Sequence, residues 1–145
     1  ACAIMAPLMA KDRLYGAAIP VVAMFLSDII LGFHPYQLVI YSTILIISLV
    51  TPRKKNYIML GGMAIGSSVW FFLTTNFAVW IIWDYYPKTI AGLLECYTLA
   101  IPFFKNTLLS TIFFTAIITI SMNYLDKINN KFNNFILSNK FFKTK

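Results

Sequence analysis

Charge is what this sequence has least of. Asp, Glu, Lys and Arg make up 12% of the 145 residues and hydrophobic residues 59%, against roughly a quarter and a half in soluble globular proteins. Acidic side chains are scarcest, 5 against 12 basic ones, which leaves a net charge of +7. Residues 56–83 and 106–125 hold no charge at all, and residues 14–33 hold only Asp28. At about 1.5 Å per helical residue, each run reaches across a hydrocarbon core of about 30 Å. This pattern argues against a soluble enzyme or a nucleic-acid-binding domain. The basic excess sits in loops and a tail, where anionic lipid is the natural counter-charge.

Reactive side chains are also few. Cys2 and Cys96 have no neighbours that suggest a metal knuckle or redox pair, and read as small buried hydrophobes. One histidine, His34, cannot build a metal site from imidazoles, so neither metal nor cofactor is expected. No G-x-S-x-G elbow and no Cys–His pair at a recognisable spacing occurs, and enzymatic chemistry is not expected either. Internal repeats and low-complexity linkers are missing. The sequence reads as one membrane domain, residues 1–125, followed by an Asn- and Lys-rich tail, residues 126–145. It opens on Ala1-Cys2 inside an apparent helix with no basic leader, so a first segment is expected to be processed or not represented.

What is present is a series of apolar runs separated by short polar breaks, predicting an all-α integral membrane bundle of five to six transmembrane segments. Residues 1–10 form half a helix with small residues at Cys2, Ala6 and Ala10, one face suited to close approach of another helix. Residues 14–33 form a span with a bend expected at Pro20. Gln37–Val50 is a shorter span stopped by Pro52-Arg53-Lys54-Lys55. Residues 57–83 form the strongest span, carrying Gly62 and Gly66 in a GxxxG and ending in an aromatic belt, Trp80, Trp83, Tyr85 and Tyr86, beside Asp84 and Lys88. Residues 89–104, interrupted by Glu95 and Pro102, read as a short span, a re-entrant segment or an interfacial helix. Residues 106–125 form a clear span. Basic loops stay cytoplasmic. Lys11/Arg13, Arg53–Lys55 and the tail share that side if residues 89–104 do not fully cross. The tail's Phe132, Phe135, Ile136, Phe141 and Phe142 among lysines suit a helix on the cytoplasmic leaflet.

Asp28 carries the strongest functional signal. A carboxylate inside a spanning helix costs about 3 kcal/mol or more on insertion scales and is normally paired, protonated or beside a polar cavity. It lies about 9 Å below the helix end at His34, and Asn76 lies about 10 Å below Trp83. In the proposed topology they share a depth and a side. Asn76, Trp80 and Trp83 fall at i, i+4 and i+7, so one helix face presents an amide with two indoles above it, like the wall of an outward-open pocket. The alternative is that Asp28 and Asn76 hydrogen-bond each other or neighbouring backbone and so lock two helices together. Glu95 either lines the same cavity or faces the headgroups, and His34 reads as a capping or interfacial residue. Lys88 and Lys105 snorkel to an interface.

The strings LSDIILGFH (26–34), TTNFAVW (74–80) and YPKTIAGLLECYTLAIPFFKNTLL (86–109) resemble a family of small bacterial membrane proteins. That family is itself similar to the substrate-binding S components of energy-coupling factor transporters. The third string is the most specific, fixing Pro87, Lys88, Gly92, Pro102, Phe103, Phe104, Asn106 and Thr107 together. The resemblance covers most of residues 1–125, leaves out the Lys-rich tail, and implies a multi-pass protein of a bacterial-type inner membrane. Such a protein captures a vitamin-like small molecule from outside and associates with a membrane coupling subunit driven by ATPases. Substrate-binding residues would be Asp28, His34, Asn76, Trp80, Trp83, Tyr86 and Glu95, and Ala6 and Ala10 would serve docking. The other expected role is a non-catalytic accessory subunit of a larger membrane complex, packed through Cys2, Ala6, Ala10, Gly62 and Gly66.

Overall fold

In the computed structural model, residues 1–33, 35–52 and 56–142 are described, except for the side chains of residue 133 and residues 135–142. His34 and the basic run 53–55 lie outside the described residues, as do the side chains of the tail's Phe135, Ile136, Phe141 and Phe142. Among the described residues five helices form: α1 (Cys2–Met9), α2 (Arg13–Leu31), α3 (Gln37–Val50), α4 (Tyr57–Ile82) and α5 (Ile90–Phe142). No strand occurs among the described residues. The chain falls into two compact units, Ala1–Thr115 and Ala116–Lys145. The first holds α1 to α4 and the opening part of α5, and the second holds the remainder of α5.

Helix ends follow from local chemistry. The Asp12 carboxylate accepts from the Leu14 N–H at 2.9 Å and caps α2. Asn56 caps α4 in the same way through the Ile58 N–H at 3.0 Å. α2 stops at Gly32, whose φ of 99° suits glycine and whose N–H returns to the Asp28 carbonyl at 2.8 Å. Pro20 is buried within α2 and does not interrupt it. Several serine and threonine hydroxyls bond back to their own helices, as Ser68 does to the Ala64 carbonyl at 2.8 Å. Thr43 instead donates to Thr74 across to α4 at 3.1 Å, and the buried Ser48 hydroxyl has no partner among the described residues.

The last part of the chain departs from the sequence pattern. Residues 89–104 and 106–125 do not form separate elements, because one helix runs from Ile90 through Pro102 and Lys105. Proline removes a single donor, and with no glycine near Phe104 the helix continues through the polar run Lys105-Asn106-Thr107. Among the described residues, three helices are long and apolar enough to cross a membrane: α2, α4 and residues 90–132 of α5. α3, at 14 residues, is shorter, and α1 has only 8.

Within the first unit, α4 and the opening of α5 run antiparallel. Cys96 Sγ donates to the Asn76 carbonyl at 3.6 Å, Tyr97 Oη donates to the Leu73 carbonyl at 2.8 Å, and the Phe104 and Phe72 rings lie 4.8 Å apart. Positions climb on α5 as they fall on α4. The connection is tight, since a Cβ at Gly92 would lie 2.1 Å from the Pro87 carbonyl oxygen. α1 packs against α2 at a similarly close approach, with a Cβ on Gly16 only 2.6 Å from Pro7 Cα. Arg13 donates to the Thr51 carbonyl at 3.4 Å, which puts the start of α2 and the end of α3 at one end of the unit.

Polarity is distributed the reverse of a water-soluble fold. Thr43, Ser48, Thr51 and Ser68 are buried, whereas Ile30 is 85% exposed and Ile58 87%. In the most apolar windows of α2, α4 and α5, only 22%, 11% and 6% of residues are buried. Water would not tolerate so large a continuous apolar surface on a monomer.

Candidate binding cavity and buried polar cluster

Asp28 is buried, one turn before the end of α2, and its partners come from α3. Gln37 Nε2 and Tyr41 Oη each donate to Asp28 Oδ2 at 2.6 Å, and Gln37 Nε2 also contacts Tyr41 Oη. Gln37 opens α3 and Tyr41 lies one turn later, so the i, i+4 spacing aims both at one point. Asp28 and Asn76 are not joined. Asn76 instead donates from Nδ2 to the Phe72 carbonyl of its own helix at 2.7 Å.

The remaining sequence-derived candidates also separate. Trp80 Nε1 donates to the Pro87 carbonyl at 3.0 Å, locking the α4–α5 turn. Lys88 Nζ reaches back to the carbonyls of Trp80, Ile81 (3.1 Å) and Trp83 (2.7 Å) and lies 6.0 Å from the Trp80 ring centroid. It therefore closes the C-terminal end of α4, where carbonyls lack helical partners and the helix dipole favours a cation. Trp83 stacks on Tyr85 with centroids 5.2 Å apart, Tyr86 is half-buried in the same turn, and Glu95 is exposed. His34 lies outside the described residues.

Asn76 lines a cavity of about 280 Å³ between α3, α4 and α5. Phe71, Phe72, Phe103 and Phe104 supply aromatic walls, and Tyr36, Thr75 and Thr107 supply hydroxyls. With Nδ2 committed to Phe72, Asn76 Oδ1 accepts no hydrogen bond among the described residues and is the cavity's amide acceptor. Trp80, Trp83, Tyr86, Glu95 and Asp28 are not among its walls. A second cavity, about 320 Å³ and mostly apolar, adjoins it, with Phe71 and Thr107 lining both. Among the described residues no cluster of histidine, cysteine, aspartate and glutamate could hold a metal ion.

The proposed packing faces divide as well. Ala6 is buried against α2 beside Gly16, while Cys2 is exposed. Gly62 and Gly66 are exposed, and a Cβ added to either would meet nothing within 4 Å. Tyr36, Gln37 and Tyr41 were not singled out by the sequence reading. The available signal was a lone amide opening an otherwise apolar helix, with a phenol one turn on.

The chain belongs to a family of unknown function (DUF6580), whose profile matches residues 1–135. No curated protein and no solved structure matches it.

Proposed function

We propose, starting from membership of a family without an assigned activity, that this chain is a multi-pass membrane protein that binds a small molecule as part of a transport system. In this reading it acts like the S components of energy-coupling factor transporters, with separate chains supplying coupling and ATP hydrolysis. Three helices long and apolar enough to span support the membrane assignment, together with an apolar exterior over buried hydroxyls. The observation that carries the binding role is the cavity of about 280 Å³ walled by four phenylalanines with the Asn76 amide among them. Cavities of this composition take small, largely apolar ligands oriented by a few polar groups. The Thr75 and Thr107 hydroxyls donate to the Phe71 and Phe103 carbonyls, so a flat, vitamin-like molecule with donors for Asn76 Oδ1 and for these hydroxyl oxygens suits the walls. The basic loops and tail face the cytoplasm, and the membrane is a bacterial-type inner membrane.

The test is purification from native membranes in mild detergent, followed by mass spectrometry of the small molecules released on denaturation and of co-purifying proteins. A stoichiometric small molecule is expected in the wild type and should be lost from Asn76→Leu, which keeps the volume and removes the acceptor. Equal retention by that variant would place the ligand elsewhere.

A second reading, a non-catalytic accessory subunit of a larger membrane complex, is favoured by one observation: the open glycine face at Gly62 and Gly66. Under that reading Gly62→Leu abolishes co-purification with a partner and no bound metabolite is found.

A further inference from the structure

The buried cluster of Asp28, Gln37 and Tyr41 stands apart from the aromatic cavity and has no role in binding there. Asp28 is 6% exposed and Gln37 8%, so the carboxyl has been withdrawn from solvent. Both its partners are neutral donors that converge on one oxygen, Oδ2, while Oδ1 has no hydrogen-bond partner among the described residues. No ion pair to Asp28 occurs among the described residues. Arg13, on the same helix, opens α2 at its other end, where it bonds to Thr51, and His34 lies outside the described residues. α3 contributes Tyr41 as its one titratable side chain facing the cluster, and α1, also packed on α2, carries only the exposed Cys2.

An ionised Asp28 would therefore be a single negative charge in an apolar wall. It would also sit in the last turn of α2, where unpaired carbonyls already concentrate partial negative charge. Such a group is retained in a membrane helix when a cation or proton occupies it for part of its working cycle. Gln37 presents its amide nitrogen, so the oxygens able to meet a cation are those of the Asp28 carboxylate and the Tyr41 phenol, hard ligands that suit a proton or an alkali ion better than a softer transition metal. One carboxylate balances one positive charge.

We infer that Asp28, Gln37 and Tyr41 form a site for a single monovalent cation, a proton or an alkali-metal ion, set between α2 and α3. The first two turns of α3 join this site to the cavity. Tyr36 and Ile40 line the cavity, and Gln37 and Tyr41, the residues following each, hold Asp28. Loading the cation thus fixes the helix that walls the cavity, and binding of the small molecule becomes coupled to the cation. The inference rests on the membrane reading above but not on the cavity being occupied, and its test uses no organic ligand.

The experiment uses the full chain in lipid nanodiscs. Sodium and potassium chloride binding is measured by calorimetry against choline chloride, and proton uptake is followed with an indicator dye after a pH jump. Wild-type protein is expected to take up one alkali ion or one proton per chain, the two arms identifying which, and Asp28→Asn removes that uptake. Tyr41→Phe, which keeps the carboxyl and loses one donor, weakens uptake by about tenfold. Circular dichroism and gel filtration establish that the variants keep their helical fold. Should Asp28→Asn fail to fold, Tyr41→Phe and Gln37→Leu decide the matter. Uptake unchanged in both, or no alkali or proton uptake distinguishing wild type from Asp28→Asn, overturns the site. Loss of ligand retention in Asn76→Leu with normal cation uptake would separate the fate of the cavity from that of this cluster.

Discussion

Lys88 is the side chain whose position departs most from its sequence reading. A lysine beside an aromatic belt reads as a cation reaching for headgroups, but Lys88 Nζ lies against the carbonyls of Trp80, Ile81 and Trp83. These acceptors have no partner inside α4, and in an apolar setting each orphan is costly. Its contact with Asp84, at 3.7 Å with the carboxylate 99% exposed, adds little by comparison. Lys88→Met is therefore expected to destabilise the protein by about 1 kcal/mol, seen as a lower Tm in detergent, while Asp84→Asn leaves Tm almost unchanged. Equal losses in the two variants would make the ion pair the working contact. The sequence contained both Lys88 and the nearby Trp80. It did not contain the reversal at Pro87 that folds one back over the other, because a loop path depends on how α5 seats against α4.

At the scale of the helix, the extents of α2 to α4 were legible, while the single run of α5 through Pro102 and the rotation of every helix were not. Gln37–Val50 and the start of α4 at Tyr57 follow directly from where apolar runs meet Asn56, Pro52 and Tyr36. The azimuth of each helix was hidden because α4 is apolar on nearly every side, leaving no polar stripe to point inward. Asp28 and Asn76, expected at one depth, thus part: Asp28 turns to α3 and Asn76 to the cavity. The same blindness affected the glycines. Gly62 and Gly66 carry the recognisable motif but meet nothing, whereas Gly16, in no motif, supports the closest approach between α1 and α2. Gly16→Ala should lower stability by about 1–3 kcal/mol, since Pro7 Cα is backbone and cannot swing away. Gly62→Ala should be neutral or slightly stabilising in the isolated chain, where alanine is the better helix former. Unfolding by graded denaturant in detergent measures both. A Gly16→Ala protein as stable as wild type would show that α1 is not held by this contact.

For the molecule as a whole, the bonding pattern settles a point that charge counting left open. Residues 89–104 could have crossed separately, returned on themselves or lain in the interface. Their place in one helix antiparallel to α4 means that α5 carries the chain back towards the end where α4 begins, with Thr107 and Thr111 reaching the level of Ser67 and Ser68. That end also holds Arg13 and Thr51, joined at 3.4 Å, and so gathers the Lys11/Arg13 hinge and the approach to the 53–55 run. Under the proposed membrane reading, the positive-inside rule puts this end in the cytoplasm and the Trp83–Lys88 turn outside, an expectation that labelling tests. In single-cysteine variants made on a background with Cys2 and Cys96 replaced by alanine, a membrane-impermeant thiol reagent should label Tyr85→Cys in intact cells. It should label Lys11→Cys and Asn56→Cys only after the membrane is opened or inverted. Labelling of residues 56 and 85 from the same face would mean that α4 does not cross. Labelling of 11 and 56 from opposite faces would instead break the pairing of α2 with α3 on which the Asp28 cluster depends.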